Sequence, residues 1–224
     1  MLISFEQINE ILSARNIHIT GALHIGAHDC EELGFYDKLG LQKTDIIWID
    51  AVEAKVKEAQ EKEIPNVYHA LITDKDDEEI DFHVSNNVQS SSIYAFGTHA
   101  YEHPTVVYVD EIKMKSITID TFFERNGFDA SKYNFWNFDI QGAELVALKG
   151  SLKSMKPVQA IYLEVSTKEL YIGCGLIGEI DTFLAEYGYK RVLTNITYHS
   201  WGDALYVLET DKEPEVNEEP EPSA

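Results

Sequence analysis

Residues 133–152 read YNFWNFDIQGAELVALKGSL, and the way this stretch divides decides the fold. A β-rich run, Tyr133–Asp139, passes directly into a helical stretch, Gly142–Leu152. The same change of period recurs outward on both sides. Upstream, Ile19–Ile25 leads into Cys30–Leu39, and Asp45–Asp50 leads into Glu53–Glu63, followed by a third run at Asn66–Ile72. Thr118–Asn126 supplies a helix before the quoted strand, and downstream Val158–Val165 is followed by a helical stretch at Leu176–Tyr187. Strands joined through crossover helices lie parallel, so the pattern predicts an α/β fold with a doubly wound, mostly parallel sheet.

Four segments stand outside that rhythm. Residues 4–16 read as an amphipathic helix, with Ser4 and Gln7 as a capping pair and Phe5, Ile8, Ile11 and Leu12 at helical spacing. Between Thr73 and Lys115 the alternation breaks into a strand-like run, Ile80–Ser85, then a polar loop and an aromatic, histidine-rich stretch. A long irregular insert in a compact domain is usually functional. After Tyr187 two strand-like runs, Tyr189–Leu193 and Ala204–Leu208, follow with no helix between them and predict an antiparallel hairpin at the sheet edge. Trp201, Gly202 and Asp203 are assigned to its turn, where Gly and Asp are favoured residues. The organisation predicted is one domain over 1–209, with an N-terminal helix in 1–17 and an insert at 73–115 near the substrate site. A disordered Glu- and Pro-rich tail is expected over 210–224.

Charge narrows the partners. Lys and Arg number 18 against 39 acids, a net charge of −21, of which the seven acids and one lysine from Glu209 onward account for −6 and the rest of the chain for −15. Such a surface repels polyphosphates, which argues against nucleic acid and anionic membranes and leaves neutral or cationic small molecules. No apolar run reaches the roughly 18–20 residues of a membrane span. Two cysteines, Cys30 and Cys174, make no disulfide framework, and with no signal peptide apparent the expectation is a cytoplasmic protein.

In an open parallel sheet, ligands bind beyond the carboxyl ends of the strands. The first strand delivers His24-Ile25-Gly26-Ala27-His28 there, the second Asp50-Ala51, the third Thr73-Asp74, the next Asp139, and the last parallel one Glu164. Carboxylates among residues as apolar as Ile47, Trp48, Phe138, Ile161 and Leu163 are costly to desolvate unless something uses them. Each acid could instead cap the helix that follows it. A ribose, an adenine amino group and a cationic sulfonium or ammonium would use the whole set. A pyrophosphate would not, and the Gly-x-Gly-x-x-Gly loop of dinucleotide folds is missing, because His28 and Glu31 stand where its later glycines would be.

The segments HIGAHDCEE, WIDAVEA and NFDIQGAELVALKG resemble the FkbM family of S-adenosylmethionine-dependent methyltransferases, and the resemblance extends from about Gly21 to Leu208. The family's later motif, Asp-x-Glu-Gly-Ala-Glu-x-x-x-Leu-x-Gly, is matched at Asp139, Gly142, Ala143, Glu144, Leu148 and Gly150, with Gln141 replacing its first Glu. His24 replaces an acid of the family's first loop, and Cys30 replaces a glycine. The resemblance implies a class I methyltransferase (Rossmann-like) sheet of seven strands with a C-terminal antiparallel hairpin. It also implies S-adenosyl-L-methionine as cofactor, held by His24, Gly26, Ala27 and His28, by Asp50 and Ala51 at the ribose, by Asp74 or its neighbours at the adenine, and by Asp139. The activity implied is O-methylation of a sugar or other small hydroxyl compound. By position, Asp139 and Glu164 are the candidate bases. Gln89, Ser90, Ser91 and Tyr94 in the insert are candidates to hold a small-molecule or carbohydrate acceptor. His99 and His103 have the i, i+4 spacing of metal ligands, yet no compact ligand set is apparent, and no metal is expected. The departures at His24 and Cys30 support an alternative, a weak or inactive methyltransferase-fold binding module.

Overall fold

The computed structural model describes residues 1–209, so the expectation for the tail lies outside the described residues. In chain order the strands are β1 (Ala22–Ile25), β2 (Ile46–Asp50), β3 (Val67–His69), β4 (Leu71–Ile72), β5 (Glu79–Ser85), β6 (Tyr108–Ile117), β7 (Phe135–Phe138), β8 (Ala160–Ser166), β9 (Tyr189–Ile196) and β10 (Trp201–Leu208). The helices are α1 (Phe5–Ala14), α2 (Leu33–Lys38), α3 (Glu53–Glu61), α4 (His99–Glu102), α5 (Ile119–Asn126), α6 (Glu144–Lys149) and α7 (Ile177–Glu186).

Seven strands form one sheet in the order β3-β2-β1-β7-β8-β10-β9. The pairs β3–β2, β2–β1, β1–β7 and β7–β8 are parallel, and β10 runs antiparallel to both β8 and β9. The expected sheet and its C-terminal hairpin are both present. Alternate strand residues face opposite sides, and each side is covered. Leu23, Ile47, Ile49, Trp136 and Phe138 pack with Phe122, Phe123, Leu148, Ile180 and Leu184 of α5, α6 and α7. Ala22, Ile46, Trp48 and Phe135 pack on the other side with Ile8, Leu12, Tyr36 and Val56 of α1, α2 and α3. Side chains buried on both faces are what a crossover-covered parallel sheet requires. The chain turns back between β1 and β7, which makes their carboxyl ends the switch point where such sheets bind ligands.

Three sequence expectations need correction. The run at Asn66–Ile72 is two strands: β3 stays in the main sheet, while β4 leaves it to pair with β6 in a second sheet of order β4-β6-β5. The insert is less irregular than its composition implies, because β5 and β6 form an antiparallel pair from Glu79↔Lys115 to Ser85↔Tyr108. Lys113 bridges Glu79 at 3.1 Å and Asp81 at 3.2 Å across that pair. Strand β6 is largely exposed, so it lacks the apolar alternation that marks a strand. Finally, Trp201, Gly202 and Asp203 lie within β10 and not in the turn, and Asp203 stands directly opposite Glu164.

Gly26 fixes how closely β1 and β7 approach at the switch point. It adopts φ +88, and a Cβ there would fall 1.9 Å from the Asp139 carbonyl oxygen. Gly26→Ala combines a left-handed alanine with a backbone clash and should cost about 2–4 kcal/mol. Urea unfolding would register this as a lower midpoint; an unchanged midpoint would show that the two loops are not pressed together.

Candidate active site

A cavity of about 400 Å³ opens at the carboxyl ends of β1, β2, β7 and β8. Its lining includes His24–His28, Asp50–Val52, Asp139–Gln141 and Glu164, with Ala70–Ile72 and Asn87–Ser91 on the insert side and Asp203 from β10. Of the residues singled out from the sequence, His24, Gly26, Ala27, His28, Asp50, Ala51, Gln89, Ser90, Ser91, Asp139 and Glu164 all reach it. Asp74 and Tyr94 do not. Asp74 is exposed beyond β4, the strand that leaves the main sheet, and the segment meets the cavity through Ala70, Leu71 and Ile72 instead. Tyr94 packs against the cluster of Leu170, Tyr171 and Cys174 and is not part of the lining.

The first loop is stapled to the sheet by its own backbone. The Gly26 and Ala27 N–H groups both donate to the Ile49 carbonyl, at 2.9 and 3.1 Å, and the Asp139 N–H donates to Ile25 at 3.0 Å. Asp50 ties this loop to the next one: its carboxylate accepts from the His28 N–H at 2.7 Å and the Val52 N–H at 2.7 Å. Burial pushes the Asp50 carboxyl up, and these two backbone donors oppose the rise. Cys30, at the family's glycine position, keeps the left-handed backbone expected there, with φ 55.

His24 faces the side of the sheet covered by α1–α3. It stacks on Trp48 with centroids 4.7 Å apart, and its Nδ1 lies 2.9 Å from the Tyr36 hydroxyl. Burial drives its pKa down to about 4, with Glu32 nearby opposing, so the ring is neutral at physiological pH. It supports the loop from below as part of an aromatic cluster.

The chemistry concentrates at Asp139 and Glu164. The Gln141 side-chain amide donates to Asp139 Oδ1 at 2.7 Å and to Glu164 Oε2 at 2.8 Å, so one nitrogen spans both carboxylates. Gln141 is held in turn. Its backbone is left-handed at φ 55, its carbonyl accepts from the Ser92 hydroxyl at 2.8 Å, and its side-chain oxygen accepts from Tyr171 at 2.5 Å. Asp139 is open to the cavity solvent on one side, and the protein enclosing it elsewhere raises its carboxyl to about 6. Burial, with Asp139 and Glu144 beside it, pushes Glu164 well above the carboxylate range. Glu144 plays a different part. Fully buried, it accepts from the Ile140 N–H at 2.9 Å and the Gly142 N–H at 3.3 Å, closing the turn before α6, and burial raises it to about 7.

Sequence reasoning missed the far wall. Asp203 is buried, accepts a short hydrogen bond from the Tyr162 hydroxyl and another from the Leu2 N–H, and its carboxyl is pushed up by that burial. Its register opposite Glu164 follows from the hairpin, whose strands each run three residues further toward the turn than the sequence pattern predicts. The insert's serines line the cavity with hydroxyls already engaged: Ser91 Oγ accepts from the Ser85 N–H at 3.0 Å, and Ser90 Oγ from Asn87 at 3.2 Å. Gln89 reaches the first loop, 3.4 Å from His28 Nδ1.

A family model described as the methyltransferase FkbM domain matches residues 24–191, about three quarters of the chain. The chain belongs to the FkbM methyltransferase family. FkbM proteins are S-adenosylmethionine-dependent methyltransferases, and the seven-stranded sheet with its antiparallel hairpin is the class I methyltransferase fold. Among solved structures the chain is similar to the magnesium protoporphyrin IX methyltransferase ChlM of Synechocystis PCC 6803, solved with bound S-adenosylmethionine. That likeness has 10% identity and a TM-score of 0.40, over 92% of this chain and 78% of that one. A second, to a SAM-dependent methyltransferase from Aquifex aeolicus, has 11% identity and a TM-score of 0.37 over 92% and 98%. No curated protein matches the chain.

The cavity of this FkbM protein fits a cationic ligand. Among the described residues its lining offers Glu31, Glu32, Asp50, Asp139, Glu164 and Asp203 and neither lysine nor arginine, with the Met1 ammonium at its edge 3.9 Å from Glu32. Isolated carboxylates in such a place disfavour their charged form, and a positive ligand restores it. The same crowding sets a pH dependence for the unliganded protein. Carboxyls whose pKa rises on folding favour the native state below about 4.5, and that contribution is lost as pH rises through about 6 for Asp139 and about 7 for Glu144. His24, lowered to about 4, works in the opposite direction between that value and its ordinary one. Glu164→Gln removes one raised carboxyl and leaves His24 alone. Melting curves at pH 5 and pH 8 should therefore show a smaller loss on alkalinisation for Glu164→Gln than for wild type; equal losses would mean that Glu164 carries no folding-linked proton.

Proposed function

We propose that residues 1–209 act as one domain that transfers the methyl group of S-adenosylmethionine to a hydroxyl of a small, neutral acceptor, a carbohydrate or similar polyol, in the cytoplasm. The observation carrying this reading is the carboxylate-lined cavity that holds neither lysine nor arginine among the described residues. Such a lining attracts a sulfonium and an ammonium and repels phosphorylated acceptors. Both cysteines are free and buried, which suits a reducing compartment.

In this reading the Gly26–His28 loop and Asp139 hold the methionine portion and Asp50 holds the ribose, with Ala70–Ile72 beside the adenine in place of Asp74. The bound cofactor supplies an electrophilic methyl whose departure returns an electron pair to sulfur. The protein's own residues then do three things. The first loop and the Asp139 carboxylate orient the donor in line with the acceptor oxygen. Gln141 holds Asp139 and Glu164 at a fixed separation. Glu164, with its raised pKa, accepts the proton that the acceptor oxygen gives up as the new O–C bond forms.

A second reading, a module that binds the cofactor without turning it over, is favoured by Gln141, whose amide occupies a lone pair on each carboxylate. Two measurements bear on these assignments. Asp50→Ala should weaken S-adenosylmethionine binding by about 1.5–3 kcal/mol, the worth of hydrogen bonds to a charged group; unchanged affinity in a folded variant would remove Asp50 from the ribose. Formation of S-adenosylhomocysteine should be detected with a panel of glycosides and polyols as acceptors. With the acceptor so found, Glu164→Gln should lower kcat by roughly 10²–10⁴. Tight donor binding with no product from any acceptor would support the binding module.

A further inference from the structure

The insert and the C-terminal hairpin meet at a cluster that methyl transfer does not use. Glu102 and His103, at the end of α4, face His199 in the turn between β9 and β10. One ligand atom from each lies within 4.8 Å of the others. The Glu102 carboxylate oxygen Oε2 is 3.0 Å from His199 Nδ1, and the His103 and His199 rings are 5.0 Å apart. This oxygen is enclosed by protein and makes no hydrogen bond. His99, one helical turn before His103 and 4.9 Å from it between ring centres, is buried with its Nδ1 lacking any partner. Buried polar atoms are almost always satisfied, so two unsatisfied ones at a single cluster call for a missing partner.

We propose that Glu102, His103 and His199 form a binding site for a divalent transition-metal ion. Two imidazoles and one carboxylate are the borderline nitrogen and oxygen donors preferred by Zn²⁺ and its neighbours and unsuited to Ca²⁺ or Mg²⁺. Three protein ligands leave a coordination position open, and one of them, His103, also lines the cavity. The ion would also tie the insert to the hairpin across the cavity mouth. The second cluster of suitable side chains, His28, Asp29 and Glu31, is a weaker candidate, because Lys55 at 3.1 Å and Lys62 at 3.7 Å already neutralise Asp29. Neither the site nor its test depends on the identity of the methyl acceptor.

The test is titration of the full chain, stripped with a chelator, by Zn²⁺ against a competing chromophoric chelator, with Co²⁺ as a spectroscopic substitute. Wild type should take up one equivalent, raise its melting temperature on doing so, and give Co²⁺ ligand-field bands of a nitrogen–oxygen site. His199→Ala, in an accessible turn, and His103→Asn should each weaken binding by about 100-fold or more, while Asp29→Asn should leave it unchanged. Circular dichroism of the stripped variants separates lost ligands from lost folding. Absence of stoichiometric uptake by wild type would overturn the site. So would undiminished affinity in folded His199→Ala, or loss of binding in Asp29→Asn, which would put the ion at the other cluster.

Discussion

Carboxylates gathered with neither lysine nor arginine among the described lining residues, at one edge of the sheet, are the constraint on which this structure turns. Asp50 ends β2, Asp139 follows β7 and Glu164 lies near the end of β8, while Asp203 enters from the antiparallel β10. In water each would be ionised and well solvated; around a protein cavity burial raises their pKa values, and neighbouring acids raise Asp139, Glu164 and Asp203 further. The chain manages the load with neutral donors. Backbone N–H groups hold Asp50, the Tyr162 hydroxyl holds Asp203, and the Gln141 amide spans Asp139 and Glu164. None of these donors cancels a charge, so the edge stays receptive to a cation.

Gln141 shows how a single departure from a family pattern acquires a physical meaning. At this position the family usually carries Glu, which would add one more carboxylate beside two whose pKa values burial already raises. The amide keeps the shape and reverses the polarity of the contact, donating where a carboxylate would repel. It also links the site to its surroundings, since Ser92 of the insert and Tyr171 of the loop after β8 both hydrogen-bond to it. The Ser92 hydrogen bond thereby ties the insert to the residue that spans the carboxylate pair.

Much of this could be read from the sequence, for reasons that differ by element. The central strands were legible because both faces are buried and their runs are continuously apolar. The acids at their ends stood out against that background. Strand β6 was hidden because exposed residues such as Asp110, Glu111, Lys113 and Lys115 carry no alternation. The break between β3 and β4 was hidden because one apolar run, Val67–Ile72, serves two sheets, and with it went the expected role of Asp74. Asp203 looked like a turn residue because nothing local distinguishes a hairpin of eight-residue strands from a shorter one with a longer loop; only its partner Glu164 identifies it. The Glu102, His103 and His199 cluster needs contact between segments almost one hundred residues apart, which spacing within α4 cannot reveal.

The claim that the edge awaits a cation is tested most directly by proton linkage. Calorimetric titration of S-adenosylmethionine at a pH near 6.5, in two buffers of different ionisation enthalpy, reports how many protons leave on binding. Because burial raises Asp139 to about 6 and pushes Glu164 well above its ordinary value in the unliganded protein, a cationic ligand should expel protons from them. The account predicts net release, reduced in the Glu164→Gln variant and smaller for S-adenosylhomocysteine, which lacks the sulfonium charge. Heats independent of buffer, or net proton uptake, would contradict it.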